Sequence, residues 1–309
     1  MSWKTYTIKE ETDQTVSVYV KERFSLSFRN LQTLFRKKQV KINSRVAHSK
    51  RVLKKGDTLT IQLPKDKDYG VAVETRPIHV LYEDKHTLVI NKEPFMLVHP
   101  TGQTKEHTLS SYVAGYYAKK GVIYKIRPIH RLDRDTSGCI LFGKTKEAQQ
   151  YYTNEMQIGR IQRIYVGIVE GQLEGNGVIN EPIGPDLEHG NRRVVDEFGQ
   201  IAETQYTVLT DDSTADSSTH AIANNDCSAV MTLVQFTIPT GRTHQIRVHM
   251  AHMGHPIVGD AMYGTREKPY TRQCLHAQSL SFVPYESTDM ITVTAPISEN
   301  FGKEENPKI

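Results

Sequence analysis

The chain has 309 residues, 38% hydrophobic and 24% charged, with a pI near 8.7, an ordinary balance for a globular fold of two domains, or of one large domain with an appendage. No apolar run approaches the roughly 18 residues that span a bilayer, and the start Met1-Ser2-Trp3-Lys4-Thr5 lacks the apolar stretch of a secretory leader. Three widely spaced cysteines, Cys139, Cys227 and Cys274, write neither a disulfide framework nor a zinc ribbon, and they predict a reducing, cytoplasmic setting.

The net charge of +4 is unevenly spread. Residues 1–64 carry 14 basic and 5 acidic side chains, a net of +9, which leaves the rest of the chain at −5. Residues 36–55 hold Arg36, Lys37, Lys38, Lys41, Arg45, Lys50, Arg51, Lys54 and Lys55 and no acidic residue. Such asymmetry points to a polyanionic partner, with a solvated basic face as the plainer alternative.

In chain order, residues 15–64 read as a small compact module within a first domain of residues 1–64. Val16, Val20 and Phe24, then Leu31, Leu34 and Phe35, fall at helical spacing on two short segments, with Ser25 or Ser27 placed to cap the second. Val40–Val46 predicts strand, turn and strand, and Leu53–Ile61 a turn feeding an alternating strand. Two helices and then a short sheet resemble the αL-type RNA-binding module of a ribosomal protein and of many RNA-modifying enzymes. Ser27 with Arg29, Gln39-Val40-Lys41-Ile42-Asn43 and Lys55-Gly56-Asp57 carry that resemblance. Residues 65–76 are polar and read as a linker to a second domain, 77–309.

In that second domain, Val80–Tyr82 and Leu88–Asn91 predict strands around the turn Glu83-Asp84, and further strands are expected at 163–170, 203–209, 230–238 and 290–295. Helices are expected at 146–158, with Ala148, Tyr152 and Met156 on one face, and at 243–253, with Ile246, Met250 and Met253 together. More strand than helix, without regular βαβ alternation, predicts an α+β domain around a mixed, mostly antiparallel sheet. The Ser/Thr/Asp/Asn-rich stretch 211–228 reads as a long hairpin loop without a role.

Two segments carry chemistry. Arg127-Pro128-Ile129-His130-Arg131-Leu132-Asp133-Arg134-Asp135-Thr136-Ser137-Gly138 packs charged and turn-forming residues against the apolar Cys139–Phe142, the pattern of a loop held on a rigid scaffold. Asp133 lies among cations that keep a carboxylate ionised; a turn cap with solvated arginines is the bland alternative. In Pro239–Pro256, Gly241 turns the chain into a helix that Thr243 is placed to cap. Arg242 and Arg247 near that helix start suit a phosphate. His244, His249, His252 and His255 invite a metal, but no H-E-x-x-H motif is present, and histidines so placed more often bond nearby backbone.

His130-Arg131-Leu132-Asp133-Arg134-Asp135-Thr136-Ser137-Gly138 resembles the signature loop of the RluA/RluD family of RNA pseudouridine synthases. Four further stretches accompany it in the family's order: Leu81–Asp84 with Val89–Lys92 and Leu97–Pro100; Arg163-Ile164-Tyr165 with Gly171; Gly241–Arg247 through Gly259–Gly264; and Leu275-His276-Ala277. Arg163 stands where lysine is common, Glu93-Pro94-Phe95 replaces a Pro-Ala-Gly turn, and Pro185 stands where arginine is frequent. The resemblance covers roughly residues 78–296.

That resemblance implies isomerisation of uridine to pseudouridine in RNA, without cofactor or metal, by a monomer that binds RNA and no membrane. It implies Asp133 as the catalytic residue, whether it attacks the sugar, attacks the ring or abstracts a sugar proton. Arg242 would hold Asp133 and keep it ionised. Tyr165 would stack on the base, its phenol helping to remove the proton from the ring carbon. Arg131 would enter the gap left by the flipped uridine, with His130, Thr136 and Arg247 as further RNA contacts. Arg36, Lys37, Lys38, Lys41 and Arg45 would grip backbone phosphate. Large-subunit ribosomal RNA is the expected substrate, with transfer RNA as the other candidate. A non-enzymatic ribosome-assembly factor and a metal-dependent hydrolase are the rival classes.

Overall fold

The computed structural model describes residues 3–24, 26–63, 66–209, 230–265 and 268–306. Cys227 and the expected loop 211–228 lie outside them, as does Ser25.

The N-terminal residues build their own sheet and core. Strand β1 (Lys4–Thr7) precedes helices α1 (Val16–Arg23) and α2 (Phe28–Arg36), and β2 (Val40–Ile42), β3 (Arg45–Val46) and β4 (Thr58–Ile61) follow. The sheet runs β1-β4-β2-β3, so the expected order of two helices and then a sheet lacks its opening strand. Thr15 caps α1, and the hydroxyl of Ser27 accepts from the amide of Asn30 to cap α2. Asn43 and Ser44, at φ 49 and 66, form the two-residue turn that matches the twist of a β2–β3 hairpin. Val16, Val20, Phe24, Leu31, Leu34, Val40, Ile42 and Leu59 close a core separate from the rest of the chain.

A nine-stranded sheet forms the body. Its strands are β5 (His79–Glu83), β6 (Thr87–Lys92), β7 (Ser137–Gly143), β8 (Gln162–Glu170), β9 (Asn176–Ile179), β12 (Thr204–Val208), β13 (Met231–Thr237), β14 (Leu275–Phe282) and β15 (Ile291–Thr294). They run β5-β6-β7-β14-β8-β13-β12-β9, with β15 also on β14. Among the described residues only β7 and β14 pair in parallel; the sheet is mixed and mostly antiparallel, as expected. A separate hairpin, β10 (Ile183–Pro185) with β11 (Arg193–Val195), stands beside it.

Both faces of the sheet's centre are covered. Along β6 and β7, Leu88, Ile90, Ile140 and Phe142 face one core, while Val89, Cys139 and Leu141 face another. This is the two-fold alternation of a strand buried on both sides. Helix α3 (Leu109–Lys119) fills the first core with Leu109, Tyr112, Val113 and Tyr117, and α4 (Lys146–Gln157) the second with Ala148 and Tyr152. Helix α5 (Gln245–His252) lies against β11 and β12.

Helix α3 was not expected, although Leu109, Tyr112, Val113, Tyr116 and Tyr117 keep helical spacing and Thr108 caps it. Its serines, tyrosines and Gly115 weaken the local signal. At Gly115 a β-carbon would collide with the Glu74 carbonyl oxygen, so glycine there admits the chain of residues 74–75 onto the helix. The polar stretch before the body is thus strapped down. Asp66 bonds both Arg127 amino groups at 2.9 and 2.6 Å, and Tyr69 and Val71 pack on the first core.

Candidate active site

The loop that carries Asp133 is held by buried cations acting on its backbone. Lys92, fully buried at the end of β6, donates to the carbonyls of Glu93, Met96 and Arg134 at 2.9–3.0 Å. Burial pushes its ammonium down to about 7. Arg272, also fully buried, donates to the Asp135 carbonyl at 3.1 Å and pairs Glu304 through two bonds of 2.7 and 2.8 Å. The Thr136 amide closes the turn on the Asp133 carbonyl at 3.2 Å. Gly138, at φ 112, follows at the parallel junction with β14, where a β-carbon would strike the Ala277 backbone. The expected rigid scaffold is therefore present, and its parts come from β6, β7 and the segment before β14.

Asp133 opens onto a cleft of about 400 Å³ lined by Arg131, Tyr165, Arg242, His244 and Arg247 among others. Volumes of this order suit a small-molecule-sized group such as a flipped nucleotide. The partner of Asp133 is not the expected one. Arg247 donates to Asp133 Oδ2 at 2.9 Å and is itself fixed by Asp260, with bonds of 2.6 and 2.8 Å. Asp260 is fully buried, and Tyr263 lies 5.0 Å beneath the guanidinium. Arg242 turns away: its Nε donates to the Ile201 carbonyl at 2.9 Å and it reaches the Gln200 side chain at 3.3 Å. So Arg247, expected on phosphate, takes the place assigned to Arg242, and Arg242 becomes an exposed side chain of the cleft.

The helix start also differs from expectation. Thr243 does not cap α5; the N-cap is His244, at φ 60 and with no side-chain cap bond. The helix begins at Gln245, and Arg247 in its first turn meets Asp133. Gln245 ties the turn instead, its Oε1 accepting from the Arg242 amide and the Thr240 hydroxyl at 2.9 Å each. His244 also enters the cleft, with Nε2 at 4.0 Å from Asp133 Oδ1 and Nδ1 at 2.9 Å from the Tyr263 hydroxyl.

Tyr165 sits in the cleft wall on β8, between Phe236 of β13 and Ala277 of β14. Burial, with Asp133 adding to it, pushes its phenol up to about 12. At neutral pH it is an uncharged plate suited to stacking on a base, and poorly suited to removing a proton. Arg163 behind it is buried and donates to the carbonyls of Ile238, Pro239 and Thr240 at 2.9–3.0 Å, which fixes the turn before Arg242. Arg131 is exposed at the cleft, its guanidinium without a hydrogen bond or ion pair among the described residues.

His130 and Thr136 differ from expectation. His130 Nε2 accepts from the Leu141 amide at 3.2 Å, and burial, reinforced by Arg163, drives its imidazole down to about 3. It is a neutral structural acceptor and offers no charge to phosphate. Thr136 is buried, its hydroxyl accepting from Gln273 at 3.3 Å. Of the other histidines, His249 bonds Thr204 and the Glu181 carbonyl, His255 bonds the Glu170 carbonyl, and His252 is exposed. Among the described residues no group of three His, Cys, Asp or Glu side chains is arranged to hold a metal.

In the N-terminal unit Arg36, Lys37, Lys38 and Arg45 are exposed, and Lys41 lies 4.5 Å over the Trp3 ring. Sequence reasoning assigned no role to Lys92, Asp260, Tyr263 or Arg272 and weighed His244 only as a metal ligand. Each acts through a partner distant in sequence; the family pattern contained Lys92, His244, Asp260 and Tyr263 without giving them a role, and Arg272 lay outside it.

The model of RNA pseudouridylate synthases matches residues 86–252. An uncharacterised RNA pseudouridine synthase of Bacillus subtilis, YhcT, is 36% identical over 259 residues, covering 84% of this chain and 81% of the relative. A ribosomal large subunit pseudouridine synthase D of Nitrosomonas europaea is 31% identical over 282 residues, covering 88% and 77%. Human RNA pseudouridylate synthase domain containing 1 has the same fold, with a TM-score of 0.57 at 24% identity, over 71% of this chain and 83% of that one. No helix among the described residues is long and apolar enough to cross a membrane. With a carboxylate, its arginine and a tyrosine plate gathered in one cleft, and with relatives matched along most of its length, the chain belongs to the family of RNA pseudouridine synthases, isomerases that convert uridine to pseudouridine within RNA.

Proposed function

We propose that this enzyme modifies specific uridines of large-subunit ribosomal RNA and that Asp133 is its catalytic aspartate. The observation that carries the reading is one carboxylate in the cleft that Tyr165 also lines, with Oδ2 held by Arg247 at 2.9 Å and Oδ1 without a hydrogen-bond donor among the described residues. The reaction breaks the bond from uracil N1 to ribose C1′, turns the base and joins C1′ to C5. N1 gains a proton and C5 gives one up, so the overall change is an isomerisation that calls for no redox partner. Cleaving the glycosidic bond builds positive charge on the sugar, which a fixed carboxylate stabilises or traps. Tyr165 stacks on the detached base, and Arg131 fills the gap in the RNA stack.

Relatives named for the ribosomal large subunit support the ribosomal target. Residues 1–64 act as a grip on RNA backbone, linked through 65–76 to a catalytic unit of 77–309. The exposed Arg36, Lys37, Lys38 and Arg45 support that division, as does the separate N-terminal core. Mapping pseudouridines in total RNA from cells with and without the gene tests the substrate: sites lost from large-subunit ribosomal RNA are expected, and sites lost only from transfer RNA overturn the ribosomal assignment. Asp133→Ala, assayed by tritium release from 5-tritiated uridine in RNA, is expected to lose all measurable turnover. Retained turnover removes Asp133 from the chemistry.

A further inference from the structure

The two oxygens of Asp133 are treated differently. Oδ2 is taken by Arg247 at 2.9 Å, while Oδ1 has no hydrogen-bond donor among the described residues and faces Nε2 of His244 at 4.0 Å. The tautomer of His244 follows from its neighbours. The Tyr263 hydroxyl oxygen already accepts from the Arg193 amide at 2.8 Å, so its own proton goes to His244 Nδ1, 2.9 Å away. The single ring proton then sits on Nε2, the atom turned toward Asp133.

The ring is neutral. Burial pushes His244 below the ordinary histidine range; the pull of Asp133 and Asp260 opposes that shift, and Arg247 and Arg131 reinforce it. The backbone agrees with a purpose for this side chain. At φ 60, His244 occupies the left-handed region that favours glycine or asparagine, and it caps nothing. Residues held in such conformations concentrate at functional sites.

We propose that His244 and Asp133 form a pair that reads the ribose 2′-hydroxyl of the target uridine, Nε2–H donating to its oxygen and Oδ1 accepting its proton. One donor and one acceptor are what a hydroxyl requires. A hydroxyl at hydrogen-bond lengths of about 2.7–2.9 Å from both atoms bridges them at an angle of roughly 90°, which fits the 4.0 Å gap. Within an RNA chain the 3′ and 5′ oxygens are esterified, so the 2′-hydroxyl is the free sugar hydroxyl, and it is the group that separates RNA from DNA. The inference rests on the synthase reading of this cleft and adds a sugar-recognising residue to it.

The test uses oligonucleotides around a mapped target, carrying either uridine or 2′-deoxyuridine at that one position, with dissociation constants and kcat/KM measured for each. The uridine oligonucleotide reports the underlying reading, since a protein without synthase activity converts neither; the inference is read from the ratio of the two. Wild-type protein is expected to favour uridine by roughly ten- to hundredfold, the range for a hydrogen bond to a charged group. His244→Phe, which leaves the Asp133 bond in place, is expected to cut that preference by about three- to tenfold, the share of one neutral hydrogen bond, and His244→Gln, whose amide reaches toward the Nε2 position, to restore most of it. Should His244→Phe fail to fold, His244→Asn suits the left-handed backbone but is too short to reach, and it must show the same reduced preference. Undiminished discrimination by a folded His244→Phe or His244→Asn overturns the proposal.

Discussion

Two regions of this enzyme use arginine and lysine in opposite ways. In the N-terminal unit, Arg36, Lys37, Lys38 and Arg45 stand exposed on helix end, turn and hairpin. Around the cleft, Arg247, Arg272, Arg163 and Lys92 are buried, each held by carboxylates or by several backbone carbonyls. A solvated cation keeps its long-range field and is free to follow a phosphate backbone. A buried one has given up that freedom and fixes the geometry around it. The same residue types therefore serve attraction in one region and construction in the other, and composition does not tell them apart.

The largest expected effect is at Arg247. Arg247→Met strands the fully buried Asp260 and frees Asp133, so it is expected to destabilise the fold by about 3–5 kcal/mol and to abolish turnover. Thermal unfolding together with a tritium-release assay measures both, and near-wild-type stability breaks the contrast between the regions. Arg242→Ala removes only exposed bonds to Ile201 and Gln200. Its cost in kcat/KM is expected to stay under about tenfold, the scale of one ordinary hydrogen bond, and a loss equal to that of Arg247→Met returns Arg242 to the central role.

The converse prediction concerns the exposed set. Replacing Arg36, Lys37, Lys38 and Arg45 together by Gln is expected to leave stability within about 0.5 kcal/mol while weakening RNA binding. The slope of log affinity against log salt falls by about 0.7–0.9 for each lost phosphate contact; an unchanged slope denies the unit its grip. A last test of the buried region is the pH dependence from His130, whose folded value is about 3. The unfolded chain takes up a proton near pH 6.5 that the folded chain refuses. This group's contribution is therefore intact above pH 6.5 and is lost as pH falls toward 3. His130→Asn is expected to flatten that limb in a series of thermal melts.

Much of the fold was legible locally. The pairs β5–β6 and β2–β3, the capped α2 and α4, and the strands at 163–170 and 231–237 follow from alternation, turn residues and caps within a few positions of one another. The loop around Asp133 was legible because charged and turn-forming residues crowd one short stretch, while the choice of Asp133 within it came from the family resemblance. Helix α3 was less so: its spacing is helical, but Gly115 makes sense only when residues 74–75 are seen crossing it. The linker's docking through Asp66 and Arg127 is equally a matter of residues some sixty positions apart.

Tyr165 was marked by the family resemblance; composition and pattern by themselves determined the class of sheet, the charged loop around Asp133, and the split between a basic first fifth and an acidic remainder. These depend on periodicity, turn chemistry and charge, which are properties of neighbours in the chain. Tertiary structure alone decided which arginine meets Asp133, since Arg247 is fixed there by the buried Asp260 while Arg242 bonds Ile201 and Gln200. It also decided that His130 is a neutral acceptor, that Lys92 and Arg272 hold the Asp133 loop, and which oxygen of Asp133 is left open. Each of those outcomes depends on burial and on partners brought together across the sheet, where desolvation and geometry, rather than residue type, set what a side chain can do.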